Sequence, residues 1–180
     1  MTDTPRLLGL CGALRAGSTN RMLMLEAARL FGPADFSAAD LDLPLYDGDL
    51  EDSAGIPDKV AALAEAIKAA DAVIISTPEY NKGITGVLKN ALDWVSRTKL
   101  APWSNKPVAV VSAAAGRSGG ERGQAMLRQC LVPFQPRLIS GPEVHLANSS
   151  KEFDEEGRLT SEVYTKTLAT LMEKLRADIG

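Results

Sequence analysis

Two short stretches gather the side chains able to do chemistry. Gly12-Ala13-Leu14-Arg15-Ala16-Gly17-Ser18-Thr19-Asn20 sets one guanidinium, two hydroxyls and an amide among glycines, directly after an apolar run. Pro78-Glu79-Tyr80-Asn81-Lys82-Gly83 follows a second apolar run in the same way. The first stretch leads from the end of a strand to the start of a helix. Unpaired N–H groups and the positive dipole end at such a start attract an anion, phosphate above all. Gly12 and Gly17 let the backbone curl closely around it, Ser18, Thr19 and Asn20 supply neutral donors, and Arg15 supplies a charge. The plainer alternative is that Ser18 or Thr19 only caps the helix. Capping leaves Arg15 and the paired glycines without a purpose.

The kind of phosphate is narrowed by what is missing. Gly12 to Thr19 matches the nucleotide-binding pattern GxxxxGK[ST] except that Ser18 stands where lysine pairs with the β- and γ-phosphates. A single terminal phosphate without magnesium fits better than a nucleoside triphosphate. Gly9, Gly12 and Gly17 do not have GxGxxG spacing, so Asp40, at the end of a second strand, is a weak substitute for the acidic ribose ligand of a dinucleotide fold. The second stretch suits a planar heterocycle with donors and acceptors along one edge, such as a flavin. Tyr80 would pack near the ring, and Asn81 offers both a donor and an acceptor. Its alternative is a simple turn, Asn81-Lys82-Gly83. A third loop, Ala113-Ala114-Ala115-Gly116-Arg117-Ser118-Gly119-Gly120, has small residues that permit close backbone approach to a flat ligand, or that merely turn the chain.

These loops need a frame that brings them together. Apolar runs at 7–11, 72–77 and 108–111 read as strands buried on both faces, with a weaker strand at 34–41 and another at 137–144. Helical spacing covers 18–31, 58–70, 84–97, 120–131 and 160–176, and 42–52 reads as loop. Strands alternating with helices predict a doubly wound three-layer α/β fold with a five-stranded parallel sheet, flavodoxin-like in the order 2-1-3-4-5, or else half of a Rossmann domain. In the five-stranded order the loops after the first and third strands meet where the order reverses, and ligands bind there.

Composition bounds the rest. The 180 residues carry a net charge of −3, 45% hydrophobic and 24% charged residues, as expected of one globular domain over 1–180. The small negative charge weighs against nucleic acid as a partner. Cys11 and Cys130 form no CxxC pair, and with His145 the only histidine no structural zinc site is expected. Two lone thiols fit a reducing compartment. Neither a leader at the N-terminus nor a membrane span is expected.

With these residues in view, Gly12 to Arg21 resembles the GSxRxxSxNR phosphate loop of the NADPH-dependent FMN reductases, the flavodoxin-like group that includes chromate and quinone reductases. Pro78 to Arg97 is similar to that family's PEYNxxxPGxLKNAxDWxSR segment, and 114–131 to its third flavin loop. The resemblance implies non-covalent FMN, NADPH as co-substrate, a cytoplasmic homodimer or homotetramer, and an active site near a subunit boundary. It also implies that Arg15, Ser18 and Asn20, with backbone help from Thr19, hold the phosphate. Pro78, Glu79, Tyr80 and Asn81 would frame the ring, and Ala114 and Gly116 would border it. The chain departs from the pattern at Ala13, Thr85 and Ala114, where serine, proline and, in some relatives, serine stand. The lost hydroxyls are expected to lower FMN affinity.

The expected chemistry is hydride transfer from NADPH to FMN and then to a small acceptor (a quinone, flavin, azo compound or chromate) in a ping-pong cycle, with no catalytic side chain and no metal. His145 is expected to be structural and remote from all three loops. Arg15, Lys82 and Arg117 would ring the mouth, either drawing in the co-substrate's phosphates or serving as surface charge. Trp94 and Trp103 suit a dimer contact or the core equally. The competing readings are a non-enzymatic flavodoxin-type electron carrier and an FMN-binding redox sensor. The modest charge and the single loop aromatic, Tyr80, weigh against the carrier.

Overall fold

The computed structural model describes residues 4–179; residues 1–3 and 180, which the single-domain and leader expectations include, lie outside the described residues. Six strands alternate with helices: β1 Arg6–Cys11, α1 Thr19–Phe31, β2 Asp35–Ala38, α2 Gly48–Ala54, α3 Asp58–Ala69, β3 Ala72–Ser76, α4 Gly86–Ser96, β4 Pro107–Ala113, α5 Glu121–Leu131, β5 Arg137–Leu138, β6 Val144–Leu146 and α6 Glu162–Ala177. Every pairing is parallel, in the order β2-β1-β3-β4-β5, with β6 also against β4. That is the expected strand order.

The central strands are mostly apolar and buried because both faces are covered, with Ser76 and Ser112 as buried polar exceptions near their carboxyl ends. Leu8, Leu10, Val73, Ile75, Val108 and Val110 pack with Leu63 and Ile67 of α3, Leu88 and Leu92 of α4 and Leu127 of α5. The alternate residues Leu7, Ile74, Ala109 and Val111 pack with Leu23 and Met24 of α1 and Leu168, Leu171 and Met172 of α6. The period of two in the strands thus sorts one continuous apolar run into two cores. A Cβ on Gly9 would fall 2.7 Å from the Met24 sulfur, so this glycine sets how closely α1 lies on β1.

Two expectations are corrected here, and one open alternative is decided. The fifth strand is not continuous from 137 to 144. Arg137–Leu138 and Val144–Leu146 pair separately with β4, and Pro142, which has no N–H to donate, lies in the gap between them. The stretch 42–52 is not all loop, since α2 forms at 48–54 with Asp47 accepting the Asp49 N–H at its start. No α2 residue is buried, so there was no apolar period to read. Of the two alternatives for Trp94 and Trp103, the core holds: they are at 0% and 1% exposure.

The Trp94 indole N–H instead donates to the Pro44 carbonyl at 2.8 Å, and Asn90, one turn earlier on α4, donates to the same oxygen at 2.9 Å. Asn90 Oδ1 also accepts the Tyr46 N–H at 2.8 Å, and the Tyr46 ring meets Trp94 edge-on at 5.0 Å. The 44–46 segment is therefore pinned to α4, with Leu45 left exposed.

Candidate functional site

At the carboxyl ends of β1, β3 and β4 the three loops enclose a cleft of about 330 Å³, within the roughly 300–1,000 Å³ usual for small-molecule sites. Arg15, Ser18, Thr19 and Asn20 line one part, Pro78, Glu79 and Tyr80 a second, and Ala113, Ala114 and Ala115 a third. Close approach of the first two loops depends on Gly12, whose added Cβ would lie 3.0 Å from both Pro78 Cδ and Thr85 Oγ1. Thr85 adds a direct tie: its hydroxyl donates to the Gly12 carbonyl at 2.7 Å and accepts the Leu88 N–H at 3.2 Å. The threonine standing where proline was expected thus caps α4 and fastens it to the first loop.

Ser18 occupies the N-cap position of α1, yet its side chain makes no capping bond, and the first turn carries no acidic residue. The start of α2, α4 and α6 is satisfied differently, by Asp47, Thr85 and Ser161 of their own sequence. Serine capping is thus not what Ser18 does, and the start of α1, from Ser18 to Asn20, lines the cleft together with Arg15. Beneath them burial pushes the Cys11 thiol up, opposed by the Ala13 backbone and the Ser18 side chain, so Cys11 is a buried filler and not a nucleophile.

Asn20 does something the sequence did not suggest. It is 3% exposed, its Oδ1 accepts from Ser76 Oγ at 3.0 Å and from the Ala113 N–H at 3.0 Å, and its Nδ2 donates to the Ala113 carbonyl at 2.8 Å. It borders the cleft, but its polar atoms stitch α1 to the ends of β3 and β4.

Glu79 likewise turns to the protein. Its carboxylate accepts the Arg122 and Gly123 N–H groups at 3.0 and 3.2 Å, capping α5, which starts at Gly120 without a side-chain cap of its own. The favourable dipole contact fixes the second loop against α5. Tyr80 and Gly83 exchange two backbone bonds, at 3.0 and 3.1 Å, around Asn81 at φ 50° and Lys82 at φ 71°. Positive φ at both central residues is the mark of the tightest hairpin turns. That closure directs Asn81 and Lys82 to solvent, so Asn81, expected at the ring, does not line the cleft; Tyr80, 58% exposed, stands at its mouth.

In the third loop Gly116 also misses the cleft wall, because its carbonyl is turned to the Gly119 and Asn148 N–H groups. Arg117 is exposed and does not line the cleft. The Ser112 hydroxyl donates to the Gly119 carbonyl at 2.6 Å and accepts from Gln124 Nε2 at 2.8 Å. His145 is not remote from the loops. It pairs with Ser112 across β4 and β6, and a Cβ on Gly119 would lie 2.4 Å from its backbone carbonyl. The wall also includes Ser149 and Ser150, beyond β6, which belong to no motif. Asp40 belongs elsewhere: it is bonded to Lys59 at 2.9 Å, which holds its carboxyl below the usual range.

The donor set fits the flavin phosphate. One end of the cleft offers a guanidinium, hydroxyls and an uncapped helix start, and the other offers proline, tyrosine and alanines against which a flat ring can lie. Neither His145 nor a cysteine lines it. Among the described residues no cluster of three or more His, Cys, Asp or Glu could hold a metal ion, and no helix is long and apolar enough to cross a membrane.

Sheet order and cleft together define a flavodoxin-like α/β protein with a polar-lined cleft at its topological switch point. The family model of the NADPH-dependent FMN reductases matches residues 5–151, and the chain belongs to that family of FMN-dependent, NAD(P)H-using oxidoreductases. It is 40% identical over 179 residues to an NAD(P)H-dependent FMN reductase of Pseudomonas aeruginosa, covering 98% of this chain and 95% of that one. It is 41% identical over 147 residues to a quinone reductase of Escherichia coli, covering 79% and 78%. Among solved structures it is similar to the flavoenzyme NAD(P)H:(acceptor) oxidoreductase FerB from Paracoccus denitrificans, with a TM-score of 0.88, 31% identity and coverage of 98% and 97%.

Proposed function

We propose that the enzyme passes reducing equivalents from NADPH to a small electron acceptor of the quinone, flavin, azo or chromate type, the two substrates using one cleft in turn. The observation that carries this reading is the union, in a single cleft, of an uncapped, arginine-flanked helix start with a small-residue wall. Ser18, Thr19 and Arg15 hold the FMN phosphate, and Pro78, Tyr80 and Ala113–Ala115 border its ring. The chemistry that bound flavin supplies is acceptance of a hydride and its release to a second substrate. The protein's share is positioning: Asn20, Glu79 and Thr85 fix the three loops, and the partly open mouth at Tyr80 leaves room for a second flat molecule. No side chain needs to move a proton at the reacting atoms. The name of the Escherichia coli relative, a quinone reductase, supports quinones as one acceptor class. Two free cysteines fit a reducing compartment, and the cytoplasmic homo-oligomer is part of the same reading, resting on the family likeness alone.

The test is anaerobic mixing of the purified protein with NADPH. Rapid bleaching of the flavin absorption band is expected, followed by recovery on adding a quinone, with parallel double-reciprocal plots in steady state. A protein that keeps its band after NADPH is a carrier or sensor and not a reductase, and intersecting plots exclude sequential use of one cleft.

A further inference from the structure

Ser149 and Ser150 form part of the cleft wall but lie outside all three loops, on the turn between β6 and α6. Ser149 is 3% exposed, and its Oγ lies 3.0 Å from Thr19 Oγ1, a bond that spans 130 residues of chain. The Ser149 hydroxyl has no other hydrogen-bond partner among the described residues; it opens the short 3₁₀ turn Ser149–Lys151, whose N-cap residue is Asn148. Backbone bonds hold it in place. The Ser149 N–H donates to the Ala114 carbonyl at 3.0 Å, and the Ala114 N–H to the Leu146 carbonyl at 3.0 Å. Asn148, at φ 48°, supplies the sharp bend between them.

Resting on the reading that FMN binds here with its phosphate at α1, we propose that Ser149 is a positioning residue for that phosphate: it sets the Thr19 hydroxyl so that the O–H points into the cleft. A hydroxyl has one donor and two acceptor sites. When two hydroxyls meet, one O–H is spent between them and the other stays free. Ser149 is the buried member and Thr19 the half-exposed one. The arrangement that strands no buried donor has Ser149 donating to Thr19, with the Thr19 O–H turned outward. Phosphate oxygens only accept, so a rotor fixed as donor serves them better than one divided between donating and accepting. Bonds in such a chain also polarise one another, which strengthens the outer donor. Ser149 thereby makes the C-terminal part of the chain a fourth contributor to the anion end, acting through Thr19 and not on the ring.

Full-length protein freed of flavin is titrated with FMN and with riboflavin, which lacks the phosphate, by quenching of flavin fluorescence. Wild type, Ser149→Ala, Thr19→Val and the double variant are compared. Ser149→Ala is expected to weaken FMN about five- to tenfold, the scale of one lost hydrogen bond, and to leave riboflavin unchanged. The double variant is expected to bind FMN no more weakly than Thr19→Val alone, because the two hydroxyls act as a unit. Unchanged FMN affinity in Ser149→Ala, equal weakening of both flavins, or full additivity with Thr19→Val overturns the proposal. Wild-type protein that binds neither flavin, or both equally, overturns the phosphate reading beneath it, and it does so before any substitution is made.

Discussion

Asn20 and Ala113 exchange two hydrogen bonds, Nδ2 to the Ala113 carbonyl at 2.8 Å and the Ala113 N–H to Oδ1 at 3.0 Å, so a side chain on α1 extends the ladder beyond the end of β4. With Ser76 Oγ as a further donor to Oδ1, one amide fixes three elements at the wall of the cleft.

Asn20→Leu leaves the Ser76 hydroxyl and both Ala113 backbone groups buried without partners. A loss of about 2–4 kcal/mol in unfolding free energy is expected, the scale of stranding buried polar groups. FMN retention should fall with it, since the first loop loses its anchor. Chemical denaturation and flavin content after dialysis measure both effects. Full flavin occupancy after dialysis would show that the anchor does not matter to the cofactor.

Glu79→Ala removes the acceptor for the first N–H groups of α5. The expected cost is about 1–2 kcal/mol, as for loss of a helix N-cap. Glu79→Gln keeps an acceptor but loses the charge that complements the helix dipole, and it should fall between wild type and alanine. Thermal melts of the three proteins decide this, and equal midpoints would remove the capping role.

Glu26 predicts the acid limb of stability. The residue is 1% exposed, and Arg29 and Arg158 reach its carboxylate at 2.7 and 3.3 Å. Burial pushes its carboxyl up, but hydrogen bonds from Arg29 and Arg158 and the Arg29 charge prevail and hold it below the usual range. A carboxyl lowered in the folded state contributes stability above its unfolded pKa, and that contribution is lost as pH falls through the folded value. Glu26→Gln is therefore expected to be less stable than wild type by about 1–2 kcal/mol at neutral pH. The gap should begin to narrow below about pH 5, where the unfolded carboxyl starts to protonate, and close only once the pH has fallen below the lowered folded value. Urea denaturation across pH measures the gap, and a pH-independent difference would sink the prediction.

The fold was legible because buried parallel strands leave continuous apolar runs, as at Val73 to Ile75 and Val108 to Val111, and their carboxyl-end loops had to converge. Eight of the expected site positions, among them Arg15, Ser18, Pro78 and Ala114, lie on the wall for that reason. What stayed hidden was direction. Asn81 and Gly116 sit in the right loops, but the turn closed by Tyr80 and Gly83 faces one outward, and bonds to Gly119 and Asn148 engage the other. Asn20 and Glu79 carry polar groups that suited a ligand, and only the fold reveals that the backbone takes them. Ser149 had no signal at all, being a serine in a polar segment brought to α1 by the path of β6. The split in the fifth strand was partly legible in Pro142, whereas α2, having nothing buried, was not.

The pinning of the 44–46 segment to α4 bears on what this molecule can transmit. One end of that helix is tied through Thr85 to the backbone of the first loop at Gly12, and further along Asn90 and Trp94 grip the carbonyl of Pro44. An exposed knob at Leu45 and one wall of the cleft are thus mounted on a common rod. A neighbour pressing on the knob cannot shift it freely: either the grip on Pro44 breaks, or the rod carries the displacement toward Gly12.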